Sequence, residues 1–573
     1  MKRKKRRMKQ MKQKLIPVIV AVALIIIIAG ITVCYEMWNK YFNYANTQAD
    51  LNQYFNVSTE GEAAIVLQNE LIDTKAYLHE GTYYLKFEDA KELLNHRYYY
   101  DSNEGLLVYT TATDVYISTI GAGAYEVNGE LVYEDHPITY LEDGQLYISL
   151  EHMRRFTNFS YEVFSDPDRI QIRNAWGDVE IGEVKDDSAV RIKGGIKSDV
   201  LRHVDKGEVV TILEKMDDWA RVKTSDAIIG YIENDDLKDI KVTTEVPVND
   251  AIAPEYTCVH KDYRINMAWH AIYAESGNET FDSLVNGTGT MSIICPTWFA
   301  LDGNDGYFTD LSSADYVKRA HDRNMEVWAV LDNVNHPVET YQVLAYTSKR
   351  RRLVADIMER VDTLGLDGIN LDFELLKSDT IESYIEFVRE MSVECRKRGI
   401  VLSVDNYSPE GGANFGLAEQ GNVVDYVVIM GYDEHWNGGD TAGSVASIGF
   451  VERGINLVMQ EVPEEKIINA IPFYTRVWKT NGSELTSEAL GMEKTAEFIR
   501  TYDIPVEWDD TTCQNYGEKE MNGTLYQVWI EDARSIETKL TVMSKYDLAG
   551  VAEWQLGMES KDIWPVLDAY VKH

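Results

Sequence analysis

Between positions 366 and 374 the chain reads Leu366-Asp367-Gly368-Ile369-Asn370-Leu371-Asp372-Phe373-Glu374. Apolar and polar residues alternate along this stretch, which predicts a β-strand whose polar face carries Asn370, Asp372 and Glu374. Two acids at positions i and i+2 of a strand lie roughly 6–7 Å apart on one face. Each raises the cost of ionising the other, so one of them holds a proton near neutral pH. The stretch therefore predicts a general acid at the end of a strand.

The flanking sequence decides between two interpretations of this polar face. The first interpretation is a solvated acidic edge strand. However, helical periodicity extends from Ser348 to Leu364 before the strand and from Ile381 to Arg398 after it, and Gly365 and Gly399 end the two helices. A strand between two such helices is a βα unit of a parallel sheet that is covered on both faces. Polar groups at the end of that strand lie where α/β barrels carry out their chemistry.

Eight strand candidates follow one another in the segment 255–573, with helical stretches between several of them. They are Ile265 to Ile272, Gly289 to Ile294, Glu326 to Leu331, Gly368 to Glu374, Ile400 to Asp405, Asp425 to Gly431, Lys466 to Pro472 and Gly550 to Gln555. Eight βα units form a (β/α)8 TIM barrel, so the fold class predicted for this segment is α/β. The gap of about 80 residues before the last candidate is too long for a plain loop and predicts an α+β insertion.

The run from Asp367 to Glu374 resembles the signature of glycoside hydrolase family 18, the chitinase and N-acetylglucosaminidase family. It departs from that signature at Asn370, where chitinases usually have an aspartate. The resemblance implies that Glu374 protonates the leaving oxygen and that Asp372 orients the acetamido N–H of the substrate. The acetamido oxygen then attacks the anomeric carbon, so configuration is retained without a glycosyl–enzyme bond. Because Asn370 supplies no inner carboxylate with which Asp372 shares a proton, we expect a pH profile that differs from that of chitinases.

Other strand ends carry residues that are similar to the same family's site. Met430-Gly431-Tyr432-Asp433 resembles its Met-x-Tyr-Asp motif, which implies that Tyr432 hydrogen-bonds the acetamido oxygen, while Asp433 joins that network or holds the loop. Trp554 follows the eighth strand, where the family has the floor of the −1 sugar site. Aromatic residues at other strand ends either stack on sugars or pack in the core. The predicted set is Glu374, Asp372 and Tyr432 as catalytic residues, with Asn370, Met430, Asp433, Trp554, Trp298, Tyr474 and Trp436 as substrate-binding residues.

The first 35 residues predict a membrane anchor. Residues 1–14 contain nine Lys or Arg and no acid, and residues 15–35 contain no charge. A stretch of that length crosses a bilayer once as a helix, with the basic flank in the cytoplasm and the rest of the chain outside. A cleaved signal peptide is the alternative, but its apolar core is shorter and ends in a small-residue cleavage site.

Residues 57–176 contain an internal repeat. The segments from Gly81 to Glu88 and from Gly144 to Glu151 align with a shift of 63 residues, and a short helical stretch and two strand candidates follow each of them. This pattern predicts a small α+β domain. It resembles the stalk-type repeats of bacterial surface proteins named after copper amine oxidase N-terminal domains, which implies a spacer or a wall-binding module.

Residues 186–240 contain short strand candidates separated by turns and resemble a bacterial SH3 domain. The resemblance implies binding to cell-wall peptide or polymer. The alternative is that Trp219 and Tyr231 simply pack a small all-β barrel. Residues 241–254, with Pro247 and Pro254, are predicted to form a linker to the catalytic segment.

Composition excludes several classes of partner and cofactor. Asp and Glu outnumber Lys and Arg by 94 to 56, so the surface disfavours nucleic acid as a partner. The eleven His show no His-x-x-x-His spacing, and we predict no metal and no cofactor. Five widely spaced Cys do not form a disulfide framework, although Cys258 and Cys295 are a pair that the sequence leaves open.

These predictions combine into one principal functional hypothesis. We expect a membrane-anchored extracellular glycosidase that cuts β-linked N-acetylglucosamine in peptidoglycan, because the anchor and the SH3-like segment point to the cell's own wall. Pro296-Thr297-Trp298 and the run from Tyr432 to His435 also resemble the spore-germination and cortex-lytic branch of the family. Chitin is the alternative substrate, and a glycan-binding protein or a wall-attached scaffold without catalysis are the alternative functions.

Overall fold

The computed structural model describes residues 1–247, 251, 255–412 and 414–572. The chain divides into two compact units, one formed by Met1–His96 with Asp135–Ala253 and the other by Arg97–Glu134 with Pro254–His573. The first unit contains the N-terminal helix and two β-sheets. The second unit contains the predicted barrel and, in addition, a segment that lies far from it in sequence.

The N-terminal helix extends over Lys2–Tyr41 and includes the predicted apolar segment 15–35. Among the described residues, this is the one helix that is long and apolar enough to cross a membrane. A signal sequence meets the same criteria of length and composition. A short helix, Leu51–Phe55, follows, and the Asp50 side chain caps it by accepting from Asn52 and Gln53.

The first sheet of this unit has seven strands, and two short helices follow two of them. The strand order is Ser160–Phe164, Arg169–Arg173, Glu62–Leu67, Glu70–His79, Thr82–Lys86, Gln145–Ser149, Thr139–Glu142. Both halves of the sequence repeat place a helix directly after a strand, with Phe87–Leu93 after Thr82–Lys86 and Leu150–Met153 after Gln145–Ser149. The strand pairs that follow these helices lie in different units, so the segment 57–176 contributes to both.

The second sheet contains the SH3-like segment. The strand order is Val200–Val204, Ser188–Arg191, Ile229–Glu233, Trp219–Lys223, Val209–Lys215, Gly177–Val184, Leu237–Glu245, and a 3-10 turn, Asn234–Asp236, precedes the last strand. Gly177–Val184 and Leu237–Glu245 pair along their length, so this sheet extends beyond the predicted 186–240 on both sides. The predicted linker is therefore wrong for residues 241–245, which form strand. Positions 248–250 and 252–254 of that linker lie outside the described residues.

In the second unit, residues 97–134 form an antiparallel meander. Its strands are consecutive: Tyr98–Asp101, Leu106–Thr110, Val115–Thr119, Ala124–Val127, Glu130–Tyr133. The meander is bonded to two barrel helices, Ile381–Arg398 and Leu417–Val423, through buried polar side chains. Thr110 Oγ1 donates to Glu386 at 2.5 Å, and Arg97 donates to Glu419 at 2.8 Å.

The barrel consists of eight parallel strands. In chain order they are β1 Ile265–His270, β2 Ile293–Pro296, β3 Glu326–Asp332, β4 Gly368–Asp372, β5 Val401–Tyr407, β6 Tyr426–Met430, β7 Ile467–Pro472 and β8 Gly550–Trp554. Each strand pairs with the next, β8 pairs with β1, and β2 pairs with β3, so the sheet closes. The prediction of an eight-stranded barrel is confirmed. Ile369 and Leu371 of β4 are fully buried in its wall.

Helices and a small hairpin surround these strands. The α-helices are Phe281–Leu284, Ala314–His321, Thr340–Leu344, Thr347–Leu364, Ile381–Arg398, Leu417–Val423, Ile448–Val458, Ala533–Met543 and Trp564–Val571. The hairpin after β2 is Phe299–Asp302 with Tyr307–Asp310, and 3-10 turns lie at Glu275–Thr280, Pro409–Gly411, Glu464–Lys466 and Lys561–Ile563. Gly365 and Gly399 end their helices in the left-handed conformation, with φ of 70° and 67°.

The long segment between β7 and β8 forms the predicted α+β insertion. Its strands are Tyr474–Asn481, Glu484–Gly491, Val506–Asp509, Gln514–Met521 and Thr524–Ile530, and its helix is Met492–Thr501. A fully buried ion pair between Lys539 and Glu531, at 3.0 Å, joins the last strand to the helix Ala533–Met543. Because Tyr474 is the first residue of the insertion, the insertion also places a side chain beside the barrel mouth.

Candidate active site

A cavity of about 150 Å³ opens where the barrel strands end. Its lining residues come from six strand ends and the residues that follow them. They are Trp269, Asp372, Glu374, Asp405, Tyr407, Met430, Tyr432, Asp433, Tyr474 and Trp554. The carboxyl ends of β1, β4, β5, β6, β7 and β8 thus converge on one point, as the barrel topology predicts.

Glu374 is held from two sides. Its backbone N–H donates to Asn333 Oδ1 at 2.8 Å and its carbonyl accepts from Asn333 Nδ2 at 2.9 Å, so one amide fixes the peptide that carries the acid. Tyr407 OH donates to Glu374 Oε2. Burial raises the pKa of Glu374, the hydrogen bond from Tyr407 opposes that rise, and the charges of Asp433 and Asp332 add to it. The side chain is therefore biased towards the protonated form that a general acid needs.

Asp372 lies beside Glu374 in the same cavity. Burial raises its pKa well above the usual range, and the carboxyl groups of Asp405, Glu374 and Asp332 raise it further. Within the described part of the chain, its buried Oδ1 atom has no hydrogen-bond donor. An oxygen of this kind suits a donor brought by a ligand, such as the N–H of an amide.

Asn370 lies below the cavity rather than on its surface. It is fully buried, its Oδ1 accepts from Trp269 Nε1 at 3.0 Å, and its Nδ2 donates to Ser403 Oγ at 3.0 Å and to Asp405 Oδ1 at 2.7 Å. Both N–H groups of its amide and one lone pair of its oxygen are directed at protein groups. The structure therefore places Asn370 beneath the cavity lining, where its side chain supports the residues above it.

The end of β6 and the residues after it also line the cavity. Tyr432 and Met430 line the cavity, and burial raises the pKa of Tyr432 well above its usual range. Asp433 adopts a left-handed conformation with φ of 59° and accepts from Tyr474 OH at 2.6 Å. Arg476 lies 3.5 Å from the same carboxylate oxygen. Asp433 thus lines the cavity, and its contacts with Tyr474 and Arg476 also hold its loop in place.

Two indole rings form an apolar side of the cavity. Trp554 and Trp269 meet edge to face with their ring centroids 5.8 Å apart. Because the Trp269 indole N–H donates to Asn370, the orientation of this ring is fixed. An aromatic surface of this kind stacks on the apolar face of a sugar and excludes water.

Two predicted aromatic residues do not line the cavity. Trp298 is 1% exposed, its Nε1 donates to Asn278 Oδ1 at 2.8 Å, and its ring packs against Tyr316. The structure thus places Trp298 in the core and not with the residues that line the cavity. Trp436 is 54% exposed and lies outside the cavity lining, so it is accessible only to a longer ligand.

Four contributors to the site were not predicted from the sequence: Trp269, Asn333, Asp405 and Tyr407. Asp405 and Tyr407 show the same signal as Asp372 and Glu374, namely polar residues two apart at the end of an apolar strand. That signal was sufficient to find them. Nothing local to Trp269 or Asn333 distinguishes them from core or loop residues.

Neither of the two thiols that the sequence left open as a pair lines the cavity. Cys258 and Cys295 are both free, and burial raises the pKa of Cys295 well above its usual range. Within the ranges that the structure describes, no group of three or more His, Cys, Asp or Glu side chains is arranged to hold a metal ion.

Sequence comparison identifies two regions. The model of the glycosyl hydrolases family 18 matches residues 264–559, and that of the bacterial SH3 domain matches residues 186–238. A cortical fragment-lytic enzyme of Bacillus anthracis is 26% identical over 248 residues, which are 41% of this chain and 57% of that protein. Chitinase B of Serratia marcescens is 22% identical over 357 residues, 47% of this chain and 71% of that protein.

The chain spans little more than half the length of the cortical fragment-lytic enzymes that it matches. A crystal structure of the C-terminal domain of a Desulfitobacterium hafniense protein covers 54% of this chain with a TM-score of 0.50 at 18% identity, and all of that domain is matched. This similarity concerns the fold. Because the family match covers more than half of the chain and includes the strand that ends in Asp372 and Glu374, the chain belongs to the glycosyl hydrolases of family 18.

Proposed function

We propose that this protein is a membrane-anchored, extracellular glycosidase that hydrolyses bonds to β-linked N-acetylglucosamine in peptidoglycan, with retention of configuration. The observation that carries the proposal is the placement of Glu374. A carboxyl group with a raised pKa, fixed by Asn333 and contacted by Tyr407, lies in a cavity with an aromatic side.

The chemistry follows from the groups around the cavity. Glu374 donates its proton to the glycosidic oxygen as the bond to the anomeric carbon breaks. The acetamido oxygen of the same sugar forms the new bond to that carbon, giving an oxazolinium cation. Asp372 accepts the acetamido N–H and, once ionised, faces the positive charge. Ionised Glu374 then removes a proton from the incoming water, which opens the oxazolinium ring and returns Glu374 to its acid form.

Tyr432 and the two indole rings complete this arrangement. Tyr432 lies on the wall of the cavity, where its hydroxyl donates to the acetamido oxygen and directs that oxygen towards the anomeric carbon. Trp554 and Trp269 exclude water from the apolar side of the sugar. Water exclusion strengthens the interaction between Asp372 and the cation, because the local dielectric constant is low.

Three observations support peptidoglycan as the substrate and the cell surface as the location. Three of the relatives are named cortical fragment-lytic enzymes, from Bacillus anthracis, Bacillus cereus and Bacillus subtilis. The bacterial SH3 domain at 186–238 suits attachment to wall peptide or polymer. The helix Lys2–Tyr41, with its basic start, suits a single membrane crossing with the remaining domains outside.

The Glu374→Gln variant tests the enzymatic activity. We expect the release of soluble fragments from purified peptidoglycan to fall by about 10²- to 10⁴-fold, the contribution of a positioned general acid. Binding of the variant to the same peptidoglycan in a pull-down is expected to persist. Unchanged release, or no release by the wild-type chain, would leave only the glycan-binding and scaffold functions. The anomeric form of the first product, followed by NMR, tests retention.

Chitin is the second candidate substrate, because chitinase B is matched over 71% of its length. Mass spectrometry of the products from purified peptidoglycan and from chitin oligomers, at equal sugar concentration, separates the two. We expect muropeptide fragments to be released faster. Faster cleavage of the chitin oligomers would replace peptidoglycan with chitin in the proposal. Fractionation of cells that express the full chain tests the anchor.

A further inference from the structure

Strand β5 runs beside the catalytic strand in a register that pairs their polar residues. Asn370 lies opposite Ser403 and Leu371 lies opposite Val404. Continuing the same register sets Asp405 beside Asp372 and the next inward residue, Tyr407, beside Glu374. The hydrogen bond from Tyr407 to Glu374 agrees with this register, and both β5 residues line the cavity.

The contacts of Asn370 fix the orientation of its amide. An indole N–H only donates, so the Trp269 bond identifies the Asn370 atom that it reaches as the oxygen. The Asn370 amide nitrogen then has to face acceptors, and one of them is Asp405 Oδ1 at 2.7 Å. Asn370 itself carries no exchangeable carboxyl proton. The nearest carboxyl group that can carry a proton is that of Asp405, on the neighbouring strand β5.

Asp405 and Asp372 border the same cavity, and Asp405 is 2% exposed. Burial raises the pKa of Asp405 well above the usual range, the Asn370 hydrogen bond opposes this, and Glu374 adds to it. Two carboxyl groups in such a place do not both ionise, and the pair retains one proton.

We propose that Asp405 is a positioning residue that takes over the shared proton when Asp372 must become fully ionised. Before the reaction the proton lies with Asp372. As the oxazolinium cation forms, it moves to Asp405, so that Asp372 carries the negative charge that faces the cation. After hydrolysis it returns, and the pair ends with the charge with which it began. The inference rests on the proposed function and identifies β5 as the source of the carboxyl group that position 370 does not provide.

Other ionisable groups also face this pair. They are Asp332 at the end of β3, Glu374, Tyr432, Cys295 on β2 and Tyr384 on the helix Ile381–Arg398. Burial raises the pKa of Cys295, Tyr384 and Tyr432, so these groups are neutral across the working range. The carboxyl groups therefore dominate the pH profile, and an effect of substituting Asp405 has to be distinguished from the titration of Glu374.

The test moves the carboxyl group from one strand to the other. The full-length chain in detergent is compared with Asp405→Asn and with the double variant Asn370→Asp/Asp405→Asn, using fragment release from purified peptidoglycan to measure kcat and KM from pH 4 to 9. We expect Asp405→Asn to lower kcat by at least about tenfold with KM little changed, since it removes electrostatic support made only in the transition state. The double variant, which restores an amide–carboxyl pair in reverse order, is expected to recover most of that loss.

The matched control is Ser403→Ala, which removes the other acceptor of the Asn370 amide but no carboxyl group, and its expected loss is smaller than that of Asp405→Asn. Thermal unfolding checks that each variant is folded. If Asp405→Asn does not fold, the double variant is compared directly with the wild type, and a loss of more than tenfold overturns the inference. An active wild type with an Asp405→Asn variant of unchanged kcat and pH profile overturns the inference alone. An inactive wild type overturns the proposed function together with it.

Discussion

Asp101 caps a helix that begins 246 residues later in the chain: its Oδ2 accepts from both the backbone N–H and the hydroxyl of Thr347, each at 2.7 Å. Its other oxygen, Oδ1, accepts from the backbone N–H groups of Asn103 and Glu104. One buried carboxylate thus organises a turn of the meander and the N-terminus of a barrel helix. This contact makes residues 97–134 part of the catalytic unit.

The first prediction concerns this cap. Asp101→Ala is expected to lower the free energy of unfolding of the barrel unit by about 1–3 kcal/mol, because it leaves buried N–H groups without an acceptor. Thr347→Val, which removes only the hydroxyl, is the milder control. Thermal unfolding of the full chain in detergent measures both, and equal midpoints for Asp101→Ala and the wild type would contradict the assignment.

The second prediction concerns a buried ion pair on the same helix. Arg350 is fully buried and bonded to Glu390 at 3.0 Å. Burial raises the pKa of Glu390 to about 7, although Arg350 lowers it. Arg350→Met is therefore expected to cost about 3–5 kcal/mol when Glu390 is ionised, since an uncompensated charge stays buried.

The sign of the pH dependence follows from that pKa. A carboxyl group whose folded pKa is raised loses its stabilising contribution as pH increases through the folded value, and removing Arg350 raises the value further. The deficit of Arg350→Met relative to wild type should thus be small near pH 5 and grow towards pH 8. The double variant with Glu390→Gln is expected to abolish this growth, and thermal midpoints at both pH values provide the check.

The third prediction concerns Tyr407. Because its hydrogen bond lowers the pKa of Glu374, Tyr407→Phe is expected to raise that pKa and to shift the alkaline limb of the kcat/KM profile to higher pH. Tyr474→Phe, which removes a hydrogen bond to Asp433 instead, is the comparison. A limb that moves to lower pH in Tyr407→Phe would show that the tyrosine does not act on the acid in this way.

The fourth prediction separates the two accessible tryptophans. Trp554→Ala is expected to reduce kcat/KM at least about tenfold on every glycan, because its ring borders the cavity that holds Glu374. Trp436→Ala should matter only for long glycans, since this exposed ring lies outside that lining. Kinetics on short and on long substrates distinguish the cases, and equal losses for both variants on short substrates would refute the assignment.

Much of the barrel and its acid could be predicted because they depend on local pattern. The alternation from Gly368 to Glu374, with a glycine-terminated helix on either side, identifies β4 without any information from distant residues. The same rule applied to the end of β5 reaches Asp405 and Tyr407. Trp298 shows where the rule fails, because an aromatic residue at a strand end is either a sugar platform or core, and only its contact with Asn278 decides.

The meander could not be predicted from the sequence. Its first two strands align with Ser160–Phe164 and Arg169–Arg173 in the repeat, yet they pack on the barrel helices while the second pair completes a sheet of the other unit. The difference depends on Thr110, Arg97 and Asp101, whose partners lie more than 240 residues away. Local periodicity carries no information about such partners.

The division of the chain has a consequence for limited proteolysis. The polypeptide passes between the two units three times, near residues 96, 134 and 253. One cut between residues 247 and 255 separates the barrel covalently from the preceding chain but leaves it bonded to the meander, which stays continuous with residues 1–96 on one side and with residues 135–247 on the other. A single cleavage at any one crossing therefore does not separate the barrel from the first unit, and its separation requires all three crossings to be cut or the meander to detach from the barrel.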